Sequence, residues 1–338
     1  MSSFSNLSSE ERAAFVAEAA ARRGISEVIV EKDAWVSWLL RELFAHPVLA
    51  RHLLFKGGTS LSKGYGLIQR FSEDIDLGVD PEHLGFGAER VAGAQTRRAR
   101  AGLMVEMQRA CGHFVKTEIQ ARLSQSANAR FASPSCGAWV APAPEDPHGA
   151  VLLFTYPSCT NSTSRYIRKG IRLEFGALTE QRPLAPLPIR TILCDVLGES
   201  FADLQCVVFT LAAGRTFWEK ATILHDCALQ PPARPLRRLY ARHYSDFAVL
   251  WGECGMEFAR DRALLQAVAL HKERFFQSSW SDYRGAWQRW LRLSPPEHRV
   301  RELRLDYESM RPMFLVEPPS FERMLETIAA AEAAIDAK

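Results

Sequence analysis

A glycine turn is the first part of the sequence whose residue types suit phosphate chemistry. Gly57, Gly58, Thr59 and Ser60 follow a short apolar run at 53–55. A strand is therefore expected to end in a turn that opens a short helical segment. Glycine lets the backbone approach an anion, turn N–H groups can bind phosphate, and the two hydroxyls can donate to its oxygens. The segment predicts a nucleotide-binding turn, although an ordinary tight turn has the same composition.

An aspartate pair close behind the turn suits metal binding. Asp74 and Asp76 alternate with Ile75, Leu77 and Val79. Because side chains alternate between the two faces of a strand, both carboxylates are expected on one face and the aliphatic side chains in the core. Mg²⁺ prefers one or two carboxylates together with phosphate oxygens and water. The spacing therefore predicts a site for Mg²⁺ or Mn²⁺, and a solvated strand face is the alternative.

Other polar residues extend this candidate site. Lys56, Lys63 and Arg70 lie around the turn and could neutralise a triphosphate, and Ser72 lies just before the aspartates. In a strand expected at 171–175, Glu174 would point away from the apolar face. If that strand lies beside the aspartate strand, Glu174 can reach the metal and help deprotonate an incoming hydroxyl. A surface ladder of arginine and glutamate is the alternative for this strand.

The glycine turn, a spacer and Ser-Glu-Asp-Ile-Asp-Leu at 72–77 resemble the first motif of the AbiEii/AbiGii family. Members of this family are nucleotidyltransferase-like toxins of bacterial toxin–antitoxin and phage-defence systems, related in fold to DNA polymerase β. Other segments resemble family motifs in the same order: Glu-Lys-Asp-Ala-Trp at 31–35, the carboxylate strand at 171–176, a Glu-Lys helix at 217–221 and an Arg-x-x-x-Asp motif at 242–247. The likeness covers most of the chain.

This resemblance implies roles that the spacing alone leaves open. Lys220 would be a triphosphate ligand rather than a surface lysine. Asp246 would pair with Lys220 or Arg242 and orient them, or contact the nucleotide, and Arg242 would join the nucleotide site. A salt bridge on a helix surface is the alternative for Asp246. The catalytic set is then Asp74, Asp76, Glu174, Lys220 and Asp246.

The resemblance also implies a reaction and partners. The expected activity is Mg²⁺-dependent transfer of a nucleotidyl group from an NTP to RNA, at the 3′ acceptor end of tRNA, which would block translation. The expected partner is a winged-helix antitoxin from an adjacent gene. Arginines at 97–100 and 234–242 suit contact with RNA phosphates, or are solvated helix faces. Modification of a protein hydroxyl, or a non-catalytic NTP-binding module of a phage-defence system, are the alternatives.

Composition describes an ordinary globular chain. The 338 residues carry a net charge of +3, and 47% are hydrophobic, so neither disorder nor a strongly basic protein is indicated. The seven cysteines include no C-x-x-C pair, which together with a polar N-terminus predicts reduced thiols in a cytoplasmic protein. The most apolar run, 206–214, is far shorter than the ~20 residues of a membrane helix.

The elements that must position these residues are expected in an α+β arrangement. We predict a polymerase-β-like mixed sheet with flanking helices over residues 1–185, and a helical domain over 190–338 that completes the active-site cleft. A proline-rich segment at 183–188 is the expected linker. Helices are expected at 8–24, 26–45, 88–111 and 320–337, β structure from 114 to 175, and a loop at 132–149.

Overall fold

The computed structural model describes residues 3–72, 74–132, 137–160, 170–198 and 201–336. The chain divides into two compact units. Unit 1 comprises Met1–Tyr65 and Phe71–Leu211, and unit 2 comprises Gly66–Arg70 and Ala212–Lys338. Unit 2 therefore includes a short segment that lies far from the rest of it in sequence.

Unit 1 contains one mixed sheet of seven strands in the order β3-β4-β5-β2-β1-β7-β6. The strands are β1 (Leu53–Lys56), β2 (Asp74–Val79), β3 (Val140–Pro142), β4 (Val151–Phe154), β5 (Ile171–Gly176), β6 (Leu184–Ile189) and β7 (Cys206–Leu211). β2 lies between β1, to which it is antiparallel, and β5, to which it is parallel. The predicted mixed sheet with flanking helices is confirmed, and the strands that carry the candidate site are its central ones.

The helices of unit 1 are α1 (Ser9–Arg23), α2 (Glu27–Phe44), α3 (Leu49–His52), the single turn α4 (Gly57–Thr59), α5 (Ala88–Gly93), α6 (Arg97–Phe114), α7 (Ala121–Arg130) and α8 (Ile192–Leu197). The first two match their predictions. Ser8 and Glu11 form a capping box at the start of α1, and Gly24 ends that helix in a left-handed conformation. In α2, Trp38 stacks on Phe154 of β4 at 5.4 Å between ring centroids, which places this helix on the apolar face of the sheet.

The prediction of one helix at 88–111 followed by β structure is wrong in two respects. The helix is interrupted between α5 and α6, where the Thr96 hydroxyl caps α6 by accepting from the Ala99 N–H. Beyond residue 114 the chain stays helical through a π-helical turn, Val115–Gln120, into α7. Val115, Ile119 and Leu123 are fully buried at a spacing of four residues, so burial on a helical face prevails over the β-propensity of Val and Ile.

Two predicted irregular segments contain strands. The predicted loop at 132–149, of which residues 133–136 lie outside the described chain, includes β3, which pairs with β4. The predicted linker at 183–188 is mostly β6, which pairs antiparallel with β7. β6 is an edge strand that pairs with β7 on one side only. Its prolines have no N–H to donate, and an edge strand can contain such residues without loss of hydrogen bonds between strands. The sheet therefore extends to residue 211, past the expected start of the helical part.

Within its described residues, unit 2 is built mainly of helices. Its helices are α9 (Ala213–Leu229), α10 (Ala241–Leu250), α11 (Met256–Phe258), α12 (Arg262–Phe275), α13 (Tyr283–Gln288), α14 (Glu297–Ser309) and α15 (Phe321–Asp336). Phe217 of α9 stacks on Phe247 of α10 at 5.0 Å, which brings together the two helices that carry Lys220 and Asp246. The carboxylate of Asp306 in α14 accepts from the backbone N–H groups of Leu239 and Ala241 and so fixes the start of α10.

Across the described chain, every helix is too short or too polar to cross a membrane.

Candidate active site

The glycine turn directly follows β1 and is hydrogen-bonded to the first residue of β2. Gly57 adopts φ +79°, a conformation that residues with a Cβ rarely adopt. The buried Thr59 hydroxyl donates to the backbone carbonyl of Asp74 at 2.5 Å, and the buried Ser60 hydroxyl donates to the carbonyl of Gly57 at 2.8 Å. Both hydroxyls therefore hold the turn together. Phosphate binding by residues 57–60 remains a prediction, and in this geometry it would fall to the backbone.

Charged side chains share one face of the central strands. In the sheet register Asp76 pairs with Lys56 of β1 on one side and with Glu174 of β5 on the other. Asp74 pairs with Arg172 in the next row. Since residues paired across strands point to the same face, these five side chains form a polar surface on the sheet. Ile75 and Leu77 are fully buried on the opposite face, as the alternation in the sequence predicts.

Asp76 lies directly against the glycine turn. A Cβ atom built on Gly57 would lie 2.1 Å from Oδ2 of Asp76. The position of the carboxylate therefore depends on the absence of a side chain at residue 57. Asp76 thus offers carboxylate oxygens next to a glycine backbone that an anion can approach. This arrangement suits a hard cation such as Mg²⁺, which binds carboxylate and phosphate oxygens together.

Glu174 takes part in the Arg/Glu ladder that the sequence allows. The Nε of Arg172 donates to Oε1 of Glu174 at 2.7 Å, and Nη1 of Arg172 contacts Glu145. The Glu174 side chain is 43% exposed and stands beside Asp76 in the register. Within the described ranges, no three His, Cys, Asp or Glu side chains are grouped closely enough to hold a metal ion. Metal binding by Asp74, Asp76 and Glu174 remains a prediction.

The remaining predicted nucleotide ligands of unit 1 lie in different surroundings. The ammonium of Lys63 is nearly buried and contacts Oδ1 of Asp33 at 2.5 Å, while Oδ2 of Asp33 accepts from the N–H of Ile192. Lys56 is half-buried on the polar face beside Asp76. Ser72 is half-buried before β2, next to Glu73, which is outside the described residues. Lys56 thus lies on the face of the two aspartates, whereas Lys63 is paired with α2.

The segment at 31–35 anchors other parts of unit 1. The buried carboxylate of Glu31 accepts from the hydroxyls of Ser158 and Thr160 and from the N–H of Cys159. Asp33 is the partner of Lys63, a role that sequence reasoning missed. The only signal was that this segment is more charged than a buried helix usually is.

In unit 2 Asp246 is bound by two cations. Nε and Nη2 of Arg70 donate to Oδ1 and Oδ2 of Asp246 at 2.7 and 2.8 Å, and Nζ of Lys220 contacts Oδ2 at 2.7 Å. All three residues are buried; Asp246 is 1% exposed and Lys220 6% exposed. The predicted pairing of Asp246 with Lys220 is present, but the second cation is Arg70. Arg242, the predicted alternative, is half-buried one turn earlier in α10.

Burial and charge act in opposite directions on this cluster. Burial alone would raise the pKa of Asp246, but Arg70 and Lys220 hold that pKa well below its usual range. Burial lowers the pKa of Lys220, as do Arg70 and Arg242, and Asp246 partly compensates. Burial, Lys220 and Arg242 push the pKa of His243 well below its usual value, so this ring is neutral at pH 7. Arg70 and Lys220 bind one carboxylate and Arg242 adds a third positive charge near Lys220, so the cluster has a net positive charge that suits an anionic ligand.

Comparison with known proteins adds a family match. A family model described as "Nucleotidyl transferase AbiEii toxin, Type IV TA system" matches residues 38–331. Among solved structures, the chain is similar to MenT4, a nucleotidyltransferase toxin from Mycobacterium tuberculosis H37Rv, with a TM-score of 0.46 and 15% sequence identity. That match covers 95% of this chain and 98% of MenT4. No curated protein sequence matches this chain.

Proposed function

Because the chain belongs to the AbiEii family of nucleotidyltransferase toxins from type IV toxin–antitoxin systems, we propose that it transfers a nucleotidyl group from an NTP to RNA. The observation that carries this proposal is the placement of Asp74 and Asp76 on one face of β2, with Asp76 against the glycine turn. Such a surface would hold metal-binding carboxylates beside a glycine backbone that can bind a phosphate.

Asp74 and Asp76 are the proposed ligands of Mg²⁺ or Mn²⁺, with Glu174 as a third carboxylate. When bound, such an ion neutralises charge on the triphosphate and favours ionisation of an attacking hydroxyl. Glu174 lies beside Asp76, and Arg172 donates to one of its two carboxylate oxygens. This ion pair also fixes the direction of the second oxygen. We assign to it the acceptance of the proton from the acceptor hydroxyl. Lys56, beside Asp76 on the same face, adds positive charge for the phosphates.

Lys220 is the proposed ligand of the triphosphate within unit 2. Its ammonium is held by Asp246 at 2.7 Å and has two further cations, Arg70 and Arg242, as neighbours. An anion that joins this cluster compensates the excess positive charge, and the buried surroundings strengthen that attraction. Asp246 orients the ammonium, and Arg242 is proposed as an additional phosphate contact.

An RNA acceptor is supported by the charge of one helical stretch. Residues 97–130 contain seven Lys and Arg against two Glu, whereas the whole chain has a net charge of only +3. Arg98, Arg109 and Lys116 are exposed and lie 11 and 7 residues apart, which places them near one side of the helix. Cations in such a row can contact separate phosphates along an RNA backbone. We propose the 3′ end of tRNA as the acceptor, so that modification blocks translation.

The family supports a proposal for the biological setting. A type IV toxin–antitoxin family implies an antitoxin, for which we propose a winged-helix protein encoded by an adjacent gene, with both proteins acting in the cytoplasm and in phage defence. Expression of the toxin alone is then expected to slow bacterial growth.

The test is incorporation of label from each of the four NTPs into total tRNA and into total protein. We expect label in tRNA with one preferred NTP, loss of labelling with EDTA, and recovery with added Mg²⁺ or Mn²⁺. Asp76→Asn should abolish labelling, whereas Asp195→Asn, which removes an exposed carboxylate of α8 elsewhere in unit 1, should not. Label in protein would favour the protein-hydroxyl alternative, and binding of NTP without labelling would favour the non-catalytic module.

A further inference from the structure

Arg70 is a buried arginine that the proposed reaction has not yet used. It is 3% exposed and belongs to the short segment Gly66–Arg70, which packs with unit 2. Its guanidinium binds both carboxylate oxygens of Asp246 through Nε and Nη2. A planar fork that donates two parallel hydrogen bonds fixes the orientation of a carboxylate as well as its position, which a lysine cannot do.

The backbone of this segment is also fixed within unit 2. Arg70 forms an isolated antiparallel bridge with Phe314, and the N–H of Leu315 donates to the carbonyl of Gln69 at 3.0 Å. The guanidinium therefore starts from a backbone held by the segment after α14. This attachment explains why Gly66–Arg70 packs with unit 2, although the rest of that unit begins at Ala212.

Asp246 transmits this geometry to Lys220. Its Oδ2 accepts from Arg70 at 2.8 Å and contacts the ammonium of Lys220 at 2.7 Å. If the carboxylate rotates, the ammonium loses its position, because it is held through that same oxygen. The three side chains form a chain of contacts that begins at the Arg70 backbone and ends at the Lys220 ammonium.

We propose that Arg70 is a positioning residue of the nucleotide site, which fixes Asp246 and through it aims the ammonium of Lys220 at the triphosphate. This inference rests on the proposed function, because it assigns the purpose of the Lys220 ammonium to phosphate binding. Arg70 itself contacts the carboxylate, so its effect on nucleotide binding passes through Asp246.

Charge provides a second measurable link between the two cations. Lys220 faces Asp246 and is also close to the charges of Arg70, Arg242 and Lys272, with neutral His243 nearby. Burial lowers the pKa of Lys220, and the positive charge of Arg70 adds to that decrease. While Asp246 keeps its contact with the ammonium, loss of the Arg70 charge raises the pKa of Lys220, whereas loss of that contact lowers it. A variant that keeps the charge at residue 70 therefore reports on the contact alone.

The experiment compares Arg70→Lys with Arg299→Lys in the full-length protein. Arg299 is a matched control because it is also 3% exposed, lies in unit 2 and donates to Glu302 and to two backbone carbonyls. Both variants should unfold at lower temperature. Only Arg70→Lys should raise KM for the NTP, by about tenfold, as expected when an ammonium loses its position. Wild-type KM in a folded Arg70→Lys protein would overturn the proposal.

A double-mutant cycle keeps the proposal testable if Arg70→Lys folds poorly. In Asp246→Asn the carboxylate that Arg70 orients is absent, so adding Arg70→Gln should change the Kd of a non-hydrolysable NTP analogue less than twofold. In the wild-type background, Arg70→Gln should weaken binding about tenfold. Equal losses in both backgrounds would show that Arg70 acts without Asp246 and would refute the positioning role.

A separate measurement distinguishes failure of this inference from failure of the proposed function. If the wild-type protein binds no NTP analogue, the proposed function fails. NMR titration of the Lys220 ammonium in the ligand-free protein still reports on the contact chain. In Arg70→Lys, which keeps the positive charge, a lower pKa of Lys220 than in wild type supports the positioning role, because the ammonium has lost its contact with Asp246. An unchanged pKa contradicts it.

Discussion

At the scale of single residues, Gly57 has little freedom to change, because its neighbour is a proposed catalytic carboxylate. Replacement by alanine puts a methyl group 2.1 Å from Oδ2 of Asp76 and forces an L-residue to adopt φ +79°. We expect Gly57→Ala to lower the free energy of unfolding by about 1–2 kcal/mol. Nucleotidyl transfer should fall as far as in Asp76→Asn, because the displaced carboxylate no longer occupies its place. Labelling rates and chemical denaturation measure the two effects.

Gly24→Ala is the control for backbone strain alone. Gly24 has φ +69° at the end of α1, and a Cβ there would meet no atom within 4 Å. This variant should lose a similar amount of stability and keep full activity. If Gly57→Ala is as active as Gly24→Ala, then Asp76 tolerates displacement and is not the carboxylate on which transfer depends.

Residue chemistry could be predicted where it depends on near neighbours in sequence. The shared face of Asp74 and Asp76 follows from the strand period of two. The pairing of Asp246 with Lys220, 26 positions apart, is suggested only by the family resemblance. The bond between Arg70 and Asp246 could not be predicted, because the two residues are 176 positions apart. The same holds for Lys63, whose partner Asp33 lies on a helix 30 positions earlier.

At the scale of elements, α9 contains a histidine that makes unit 2 sensitive to acid. His225 is fully buried, its Nδ1 accepts from the N–H of Arg292, and its Nε2 lies 3.1 Å from the carbonyl of Asp282. This pair of partners requires a neutral ring with its proton on Nε2. Protonation of Nδ1 would break the bond to Arg292.

Burial lowers the pKa of His225, and the nearby carboxylates only partly offset this. Because the folded-state pKa lies below the unfolded value of about 6.5, the unfolded chain binds more protons below that pH. The free energy of unfolding should therefore fall as pH decreases from 7.5 to 5.5, by at most about 1.4 kcal/mol per pH unit from this group.

Urea denaturation at several pH values measures this effect. His225→Gln should flatten the pH dependence, while His298→Gln, which changes an exposed histidine of α14, should leave it unchanged. The contributions of His243 and His83, whose pKa values are also lowered by burial, should persist in both variants. An equally steep slope in His225→Gln and wild type would contradict the assignment.

Elements could be predicted where local signals mark their ends. The capping box of α1 and its final glycine give the bounds of that helix to within a residue. By contrast, α7 and β6 depend on partners elsewhere in the chain. Residues 115–130 stay helical because their apolar side chains are buried on one side, and the prolines of β6 are accepted because a neighbouring strand is present on one edge only.

At the scale of the whole molecule, we expect RNA binding to depend more on where the charges lie than on the net charge of +3. The exposed cations Arg98, Arg109 and Lys116 should contribute to RNA affinity through release of counterions. Replacing all three by glutamine should reduce the slope of log K against log salt concentration by about 2–3, since each phosphate contact contributes about 0.7–0.9. Binding of tRNA measured from low to moderate salt gives this slope.

A triple variant of equal charge change tests whether position matters. Arg289, Arg311 and Arg323 are exposed in unit 2, and each is paired with an acidic residue. Their replacement by glutamine should leave the salt slope almost unchanged. Similar salt slopes in both triple variants would show that RNA binding depends on net charge and not on the row formed by Arg98, Arg109 and Lys116.

The order in which the chain is synthesised gives the segment Gly66–Arg70 a further consequence. Arg70 leaves the ribosome long before Asp246, so the buried cluster cannot form until the chain has reached residue 246 and beyond. A translation product that stops earlier lacks the carboxylate that holds Lys220. If nucleotidyl transfer depends on Lys220 as we propose, fragments from interrupted synthesis that end before residue 246 should be inactive, because they cannot assemble this cluster.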